Sequence, residues 1–372
     1  MNSGRRSSRE PVAFAGYLRG GASRRTTITS VSRREATVPE ARHVWSLVLA
    51  GGDGNRLRAL TTKPCGTSVP KQYCSLYGGH SLLEDAIARA ERVVSPDRVC
   101  TIVAQQHREW WTECPPLLAA MERGNLIVQP RNLGTGIGIL YSLLHILAKD
   151  CKARLVLLPA DHYVRDEDVL NRSLLQALER LDRNDERPVL LGLQPAEPDT
   201  DLGYILPGDP DPYGGRSVAR FIEKPGYSVA REIIDAGGLC NTFIMVAAAR
   251  TLLDLYMPRF APLVMEMQVG LAKGQTAGSP TGSWPALLNL YERLPELDFS
   301  RDLLEGRAAD LCVLRVPACG WSDLGTPHRV GEIVKLLASD TLADRAGKLN
   351  LAAQHAHLMS TNAQSDHRRL AR

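Results

Sequence analysis

The chain has 372 residues, 44% hydrophobic, 23% charged and 5% aromatic, with 45 Lys and Arg against 41 Asp and Glu for a formal net charge of +4. That length and apolar content suffice for a substantial core, while no apolar run approaches the ~18 residues of a membrane span. The eight cysteines are scattered and none forms a CxxC pair, which argues against a disulfide scaffold or zinc ribbon and points to a reducing, cytoplasmic compartment.

In chain order, residues 1–42 come first. They hold nine Arg, no Lys and three Glu, a local charge of +6, leaving 36 bases and 38 acids, or −2, in the remainder. The basic excess therefore belongs to this extension and gives no reason to expect a nucleic-acid partner. Rich in Ser, Arg and Thr and poor in large apolar side chains, residues 1–43 read as a disordered basic arm, with a misassigned start, an organelle-type targeting segment or a tail for an anionic partner as the other readings; no apolar stretch of signal-peptide length follows the early arginines. From Val44 onward, apolar runs of strand length recur over Trp45–Ala50, Val99–Ala104, Leu126–Gln129, Arg154–Leu158, Val189–Leu193 and Leu311–Val316. Between them, Ser81–Val94, Thr135–Ala148 and Val169–Leu181 carry apolar residues at helical spacing. The alternation predicts an α/β fold of βαβ units, a mainly parallel sheet with helices on both faces, and chemistry at the strand carboxyl ends. From about residue 200, shorter strands (Gly203–Leu206, Ser217–Lys224, Cys240–Val246) separated by Pro and Gly predict an α+β portion closing over the sheet. One catalytic domain is expected over 44–335, followed by a helical or disordered tail over 336–372.

The first strand runs straight into Ala50-Gly51-Gly52-Asp53-Gly54-Asn55-Arg56. Glycines after a buried strand let backbone N–H groups approach an anion, because no Cβ intervenes and positive φ is open to them. Arg56 then adds a bidentate contact to phosphate. The spacing fits neither GxGxxG nor GxxxxGK[ST], and a plain strand-to-helix turn stays open as the other reading. Gln129, Asn132, Gly134 and Thr135 lie at the next strand end and helix start, a suitable place for base or phosphate contacts. Farther on, an apolar strand ends in Pro159-Ala160-Asp161-His162. A carboxylate there, facing an anion-binding loop, is where a hard divalent cation is needed; a helix N-cap is the alternative. His162 reads as a polar contact, since neighbours on a strand point to opposite faces. Asp323, in Trp321-Ser322-Asp323-Leu324-Gly325, is a second candidate carboxylate or else a turn residue. Lys71 after Pro70 and Lys224 before Pro225 sit on stiff loops and offer point charges to phosphate.

Taken in order, these strings resemble the sugar-1-phosphate nucleotidyltransferases: AGGDGNRLRALT, PKQ at 70–72, QPRNLGTG at 129–136, LLPADH at 157–162, GYI at 203–205, FIEKP at 221–225, CNTFIM at 240–245 and GWSDLGT at 320–326. Pro70-Lys71-Gln72 is similar to the mannose-1-phosphate guanylyltransferase branch. The resemblance covers about residues 45–330, and its specificity comes from order and spacing. It implies a Rossmann-like, glycosyltransferase-A-type sheet and a reaction in which NTP and a sugar 1-phosphate give NDP-sugar and pyrophosphate, GTP and mannose 1-phosphate being favoured. It further implies Mg²⁺ on Asp161 and Asp323, with Asp302 in reserve. Ala50, Gly51, Gly52, Gly54, Arg56 and Lys71 would then meet the nucleotide, Lys224 the sugar phosphate, and Gly203, Glu223 and Asn241 the sugar hydroxyls; Asn241 as a turn former is the other reading.

The chain departs from the family pattern at Ala59, at Leu133–Ile137 and at Thr242-Phe243. Thymidylyl- or uridylyltransfer to another hexose 1-phosphate is the nearest alternative, and a catalytically weak homologue that binds a sugar nucleotide and regulates a partner is the second. A retaining glycosyltransferase would need a DxD motif, for which Asp209-Pro-Asp211 is the one notable match. Trp110-Trp111 beside Arg108 reads as packing rather than base stacking. The stretch after Thr326 leaves no room for a fused isomerase or β-helix domain, so a single activity is expected, with a homodimer left open.

Overall fold

The computed structural model describes residues 43–62, 66–183, 186–275 and 284–339; the arm expected up to residue 42 and the tail beyond 339 lie outside them. The first strand, β1 (Val44–Ala50), shows why helices must flank the sheet. Val44, Val48 and Ala50 enter one hydrophobic core and Trp45 and Leu47 another, so both faces of the strand are buried and both need cover. After it come α1 (Arg58–Thr61), α2 (Leu82–Glu91), β2 (Val99–Ala104), α3 (Arg108–Trp111), α4 (Pro115–Glu122), β3 (Leu126–Gln129), α5 (Thr135–Lys149), β4 (Arg154–Pro159) and α6 (Glu167–Leu181). The second half holds β5 (Val189–Leu193), β6 (Tyr204–Pro210), β7 (Arg216–Ile222), α7 (Tyr227–Asp235), β8 (Leu239–Ala248), α8 (Ala249–Gln275), α9 (Trp284–Arg293) and β9 (Cys312–Arg315). A last helix covers 327–339.

Helices α2, α4 and α6 close one core, with Leu83, Leu117 and Leu170 among its members. Helices α5, α8 and α9 close the other, with Ile137, Leu252 and Leu287. Helix α2 starts at a capping box: the Ser81 hydroxyl accepts from Glu84 N–H while the Glu84 carboxylate accepts from Ser81 N–H. Helix α8 contains Pro258 and Pro262, and its backbone leaves helical geometry at Phe260, because a proline removes a donor and crowds the preceding turn. No helix among the described residues is long and apolar enough to cross a membrane.

The nine strands form one sheet in the order β3-β2-β1-β4-β8-β5-β9-β7-β6, with β6 also touching β8. Strands β3, β2, β1 and β4 are parallel, as the βαβ pattern implies. Beyond β4 the expectation of a mainly parallel sheet fails. Strand β8 runs antiparallel to both β4 and β5, and β6 and β7 are antiparallel to each other; β5 and β9 restore one parallel pair. The strands after residue 200 do not close over the sheet as a separate portion but extend it. Apolar periodicity reports burial and not direction, so β8, buried along nearly its whole length, reads the same whichever way it runs. Its direction positions the site: the amino-terminal half of β8 lies at the same sheet edge as the carboxyl ends of β1 and β4.

Candidate active site

A cavity of about 380 Å³ opens at that edge, lined among others by Gly51, Gly52, Gly54, Arg56, Gln129, Asp161, Glu223, Lys224, Asn241 and Asp323. The glycine loop leaves β1 and crosses its floor. Gly54 sits at φ 63°, and a Cβ there would stand 2.7 Å from the Lys71 backbone nitrogen, so the loop packs on the 71–73 turn only as glycine. Gln72 completes this seam, its amide donating to the carbonyls of Ala50 (2.9 Å) and Gly52 (2.8 Å).

Gln129 ends β3 beneath the loop, 2% exposed. Its Oε1 is buried without a hydrogen-bond partner, against an apolar slot that includes Leu49 and Ile102. Beside it the start of α5 is fixed by its own side chains: Asn132 Oδ1 accepts from Gly134 N–H at 3.0 Å, and Thr135 Oγ1 from Phe299 N–H at 2.9 Å. Gly134, at φ 86°, packs directly on the Leu297 carbonyl.

Asp161 follows the end of β4, its side chain 41% exposed. Burial pushes its carboxyl up, but the Lys71 ammonium at 3.0 Å outweighs this and holds it below the usual range. Asp323 also faces the cavity. Burial raises its carboxyl, Asp161 adds to the rise, and Lys71 and Arg56 oppose it. Two carboxylates that repel each other across one cavity suit a hard divalent cation. Among the described residues no three Asp, Glu, His or Cys side chains converge as a metal cage, so such a cation would keep positions for phosphate oxygens and water, as Mg²⁺ does.

The wall formed by β6, β7 and β8 carries four more expected residues, Gly203, Glu223, Lys224 and Asn241. A Cβ on Gly203 would stand 2.6 Å from Glu223 Oε2, so glycine lets that carboxylate approach the backbone. Burial raises the Glu223 carboxyl, which Lys224 Nζ at 3.4 Å opposes and Asp298 reinforces. Asn241 lies at a register shift in β8: its Oδ1 accepts from Phe243 N–H at 3.1 Å, and Thr242 Oγ1 donates to the Leu191 carbonyl at 2.6 Å. This bulge re-aims the strand at the cavity. Lys224, Phe243 and Leu324 are the three non-glycine residues with positive φ among those described (48°, 59° and 47°). The first two line the cavity and the third follows Asp323; such strain clusters at functional sites.

Several expected placements are corrected. Lys71 is not on the cavity wall. It is 5% exposed, and its ammonium lies under the site, donating to the carbonyls of Asp323 (2.6 Å) and Leu324 (3.3 Å). Ala50 is not on the cavity wall, its carbonyl accepting from Gln72, and Asp302 accepts from Asp298 N–H at 2.8 Å instead of facing the cavity; Asp298 lines it. Asp161 and His162 do not diverge: β4 ends at Pro159, strand alternation stops there, and both line the cavity. His162 Nδ1 accepts from the Trp321 indole at 3.2 Å, and burial lowers its pKa to about 4, so it stays neutral. Asp211 of the DxD string accepts from two turn amides and pairs with Arg180, which is a structural use. Trp111 is buried and donates to the Ala104 carbonyl, and Trp110 stacks on Tyr73, as packing requires. Asp201, Asp298 and Arg329 escaped the sequence reading because no local pattern marks them. Arg329 pairs with both Asp323 and Asp199.

A family model for the nucleotidyl transferases matches residues 45–339. The chain belongs to this family. Among curated relatives it is 30% identical over 302 residues to the alginate biosynthesis protein AlgA of Pseudomonas syringae pv. tomato, covering 77% of this chain and 57% of that protein. It is 28% identical over 301 residues to the mannose-1-phosphate guanylyltransferase ManC of Salmonella typhimurium, covering 78% and 59%. The chain thus spans under two thirds of these relatives' lengths. Among solved structures it resembles one titled mannose-1-phosphate geranyltransferase from Thermus thermophilus, with TM-score 0.61, 27% identity and 76% of each chain covered. The nucleotidyl transferase assignment fits a glycine-rich loop and two carboxylates lining one cavity at the edge of the sheet.

Proposed function

We propose that the chain transfers a nucleotidyl group from an NTP to a sugar 1-phosphate, with GTP and mannose 1-phosphate as the favoured pair. The observation that carries this reading is the convergence of Asp161 and Asp323 with the glycine loop and Arg56 in one cavity. The base would enter the slot beside Gln129, whose unpartnered Oε1 suits a ring N–H donor. The triphosphate would run along the backbone amides of Gly51, Gly52 and Gly54 toward Arg56. The sugar 1-phosphate would sit across from it, its hydroxyls on Glu223, Asn241 and the Gly203 backbone and its phosphate near Lys224.

In this arrangement the sugar phosphate oxygen attacks the α-phosphorus in line, and pyrophosphate leaves. A sugar phosphate is already largely ionised near pH 7, so no general base is needed, and the rate comes from positioning and charge neutralisation. Mg²⁺ held by Asp161 and Asp323 would supply neutralisation of the charge that builds on the phosphate oxygens. Lys71 holds Asp161 ionised and ties the two carboxylate-bearing loops together.

Guanine, uracil and thymine all present a ring N–H, so the names of the relatives, not Gln129, favour GTP. The test is product identification: the purified chain with Mg²⁺, all NTPs and a panel of hexose 1-phosphates, read by mass spectrometry. GDP-mannose as the main product supports the full reading. A uridylyl or thymidylyl product retains the reaction and replaces the pair.

A further inference from the structure

The transfer just described leaves one contact unused. Arg56 Nη1 lies 2.9 Å from Asp201 Oδ2, and both side chains are about half exposed, 53% and 43%. Both residues line the cavity, Arg56 on the phosphate loop and Asp201 on the opposite, sugar-side wall. The Asp201 carboxylate therefore occupies the face of the guanidinium that a phosphate would take, with the same charge-assisted chemistry.

Asp201 is held there. Its N–H donates to Asp199 Oδ1 at 2.8 Å, and Asp199 N–H donates to the hydroxyl of the fully buried Tyr204 at 2.7 Å. The second oxygen of Asp199 pairs with Arg329, which also holds Asp323. The segment from Asp199 to Gly203 is thus strung between the phosphate loop at one end and the second carboxylate at the other.

We infer that Asp201 is an intramolecular competitor for the phosphate chain: nucleotide enters by taking Arg56 from it. Asp201 is then a positioning residue acting through Arg56, and it sets how much polyphosphate charge a ligand needs to open the mouth of the cavity. The inference rests on the nucleotidyl-transfer reading. An exposed ion pair is worth little in water and is screened by salt, so the effect is a few-fold change in affinity.

The test is equilibrium binding of GTP and of guanosine, in EDTA, to the wild type, Asp201→Asn and Asp201→Ala. Asn keeps the size and one acceptor oxygen while removing the charge, and Ala removes the side-chain contact altogether. At roughly 50 mM salt both variants are expected to bind GTP about two- to fivefold more tightly than wild type, the gain fading near 500 mM. Guanosine, with no phosphate, is expected to bind all three alike. GTP binding that is unchanged or weaker in Asp201→Asn at low salt, or an equal gain for guanosine, overturns the inference. If wild type and variants also bind none of GTP, UTP and dTTP with Mg²⁺ restored, the nucleotidyl-transfer reading itself falls.

Discussion

At Glu223, stability and binding pull against each other. Burial raises its carboxyl, and Lys224 offsets this only in part. The folded state therefore holds the proton more tightly than the unfolded chain. Ionised Glu223 costs stability above its folded pKa, and the cost disappears as pH falls below the unfolded value of ~4.3. Glu223→Gln is accordingly expected to raise Tm at pH 7 by roughly 1–3 °C, with the gain shrinking toward zero near pH 4 in a melting series. The same variant is expected to raise KM for the sugar 1-phosphate, since a carboxylate that accepts from hydroxyls becomes an amide. A Tm at or below wild type at pH 7 would show that Lys224 compensates the charge fully.

Among the elements, those with local signals were legible. The capping box at Ser81 marks the start of α2, and it gives a clean measurement: Ser81→Ala leaves Glu84 N–H without its acceptor and should cost about 1 kcal/mol in urea unfolding. The first four parallel strands and helices α5 and α6 were readable for a similar reason, because each carries its own period and its own boundary residues. Strand β8 was located but not oriented, since its direction is set by neighbours far away in sequence. Helix α8 was not among the expected elements: Pro258 and Pro262 lie inside it, and packing against α5 and α9, which no local string shows, sustains it. The site shows the same division. The glycine loop and Asp161 belong to short strings with a physical meaning of their own, whereas Glu223 came only with the family resemblance. Asp201, Asp298 and Arg329 act only through partners that the fold brings to them, and Lys71 moved from the phosphate path to the underside of the carboxylates because burial, invisible in the string Pro-Lys-Gln, decides where its ammonium finds acceptors.

For the whole molecule, charge arithmetic and pH stability follow from placement and not from totals. The +4 of the chain says little about the site, whose working cations are a few residues at one sheet edge. His145 illustrates the stability side. Burial, helped by Lys149 and opposed by the Gly124 carbonyl, lowers its pKa to about 4. Between the unfolded value of ~6.5 and that folded value the unfolded chain takes a proton that the native state refuses, so this residue makes stability rise with pH across the window and subtracts from it as pH falls. His145→Asn should flatten the wild-type curve there by up to one proton's slope; parallel curves for the two proteins would show that His145 titrates freely.

A cavity at the carboxyl edge of β1 and β4 that performs metal-assisted nucleotidyl transfer must release pyrophosphate. The measurement is that release for each NTP with each hexose 1-phosphate, with Mg²⁺ and with EDTA, in wild type and Asp161→Asn. Release is expected with at least one pair, abolished by EDTA and reduced at least ~100-fold in Asp161→Asn, because about 3 kcal/mol of charge stabilisation is removed. No release with any pair, or full activity in Asp161→Asn, would contradict it.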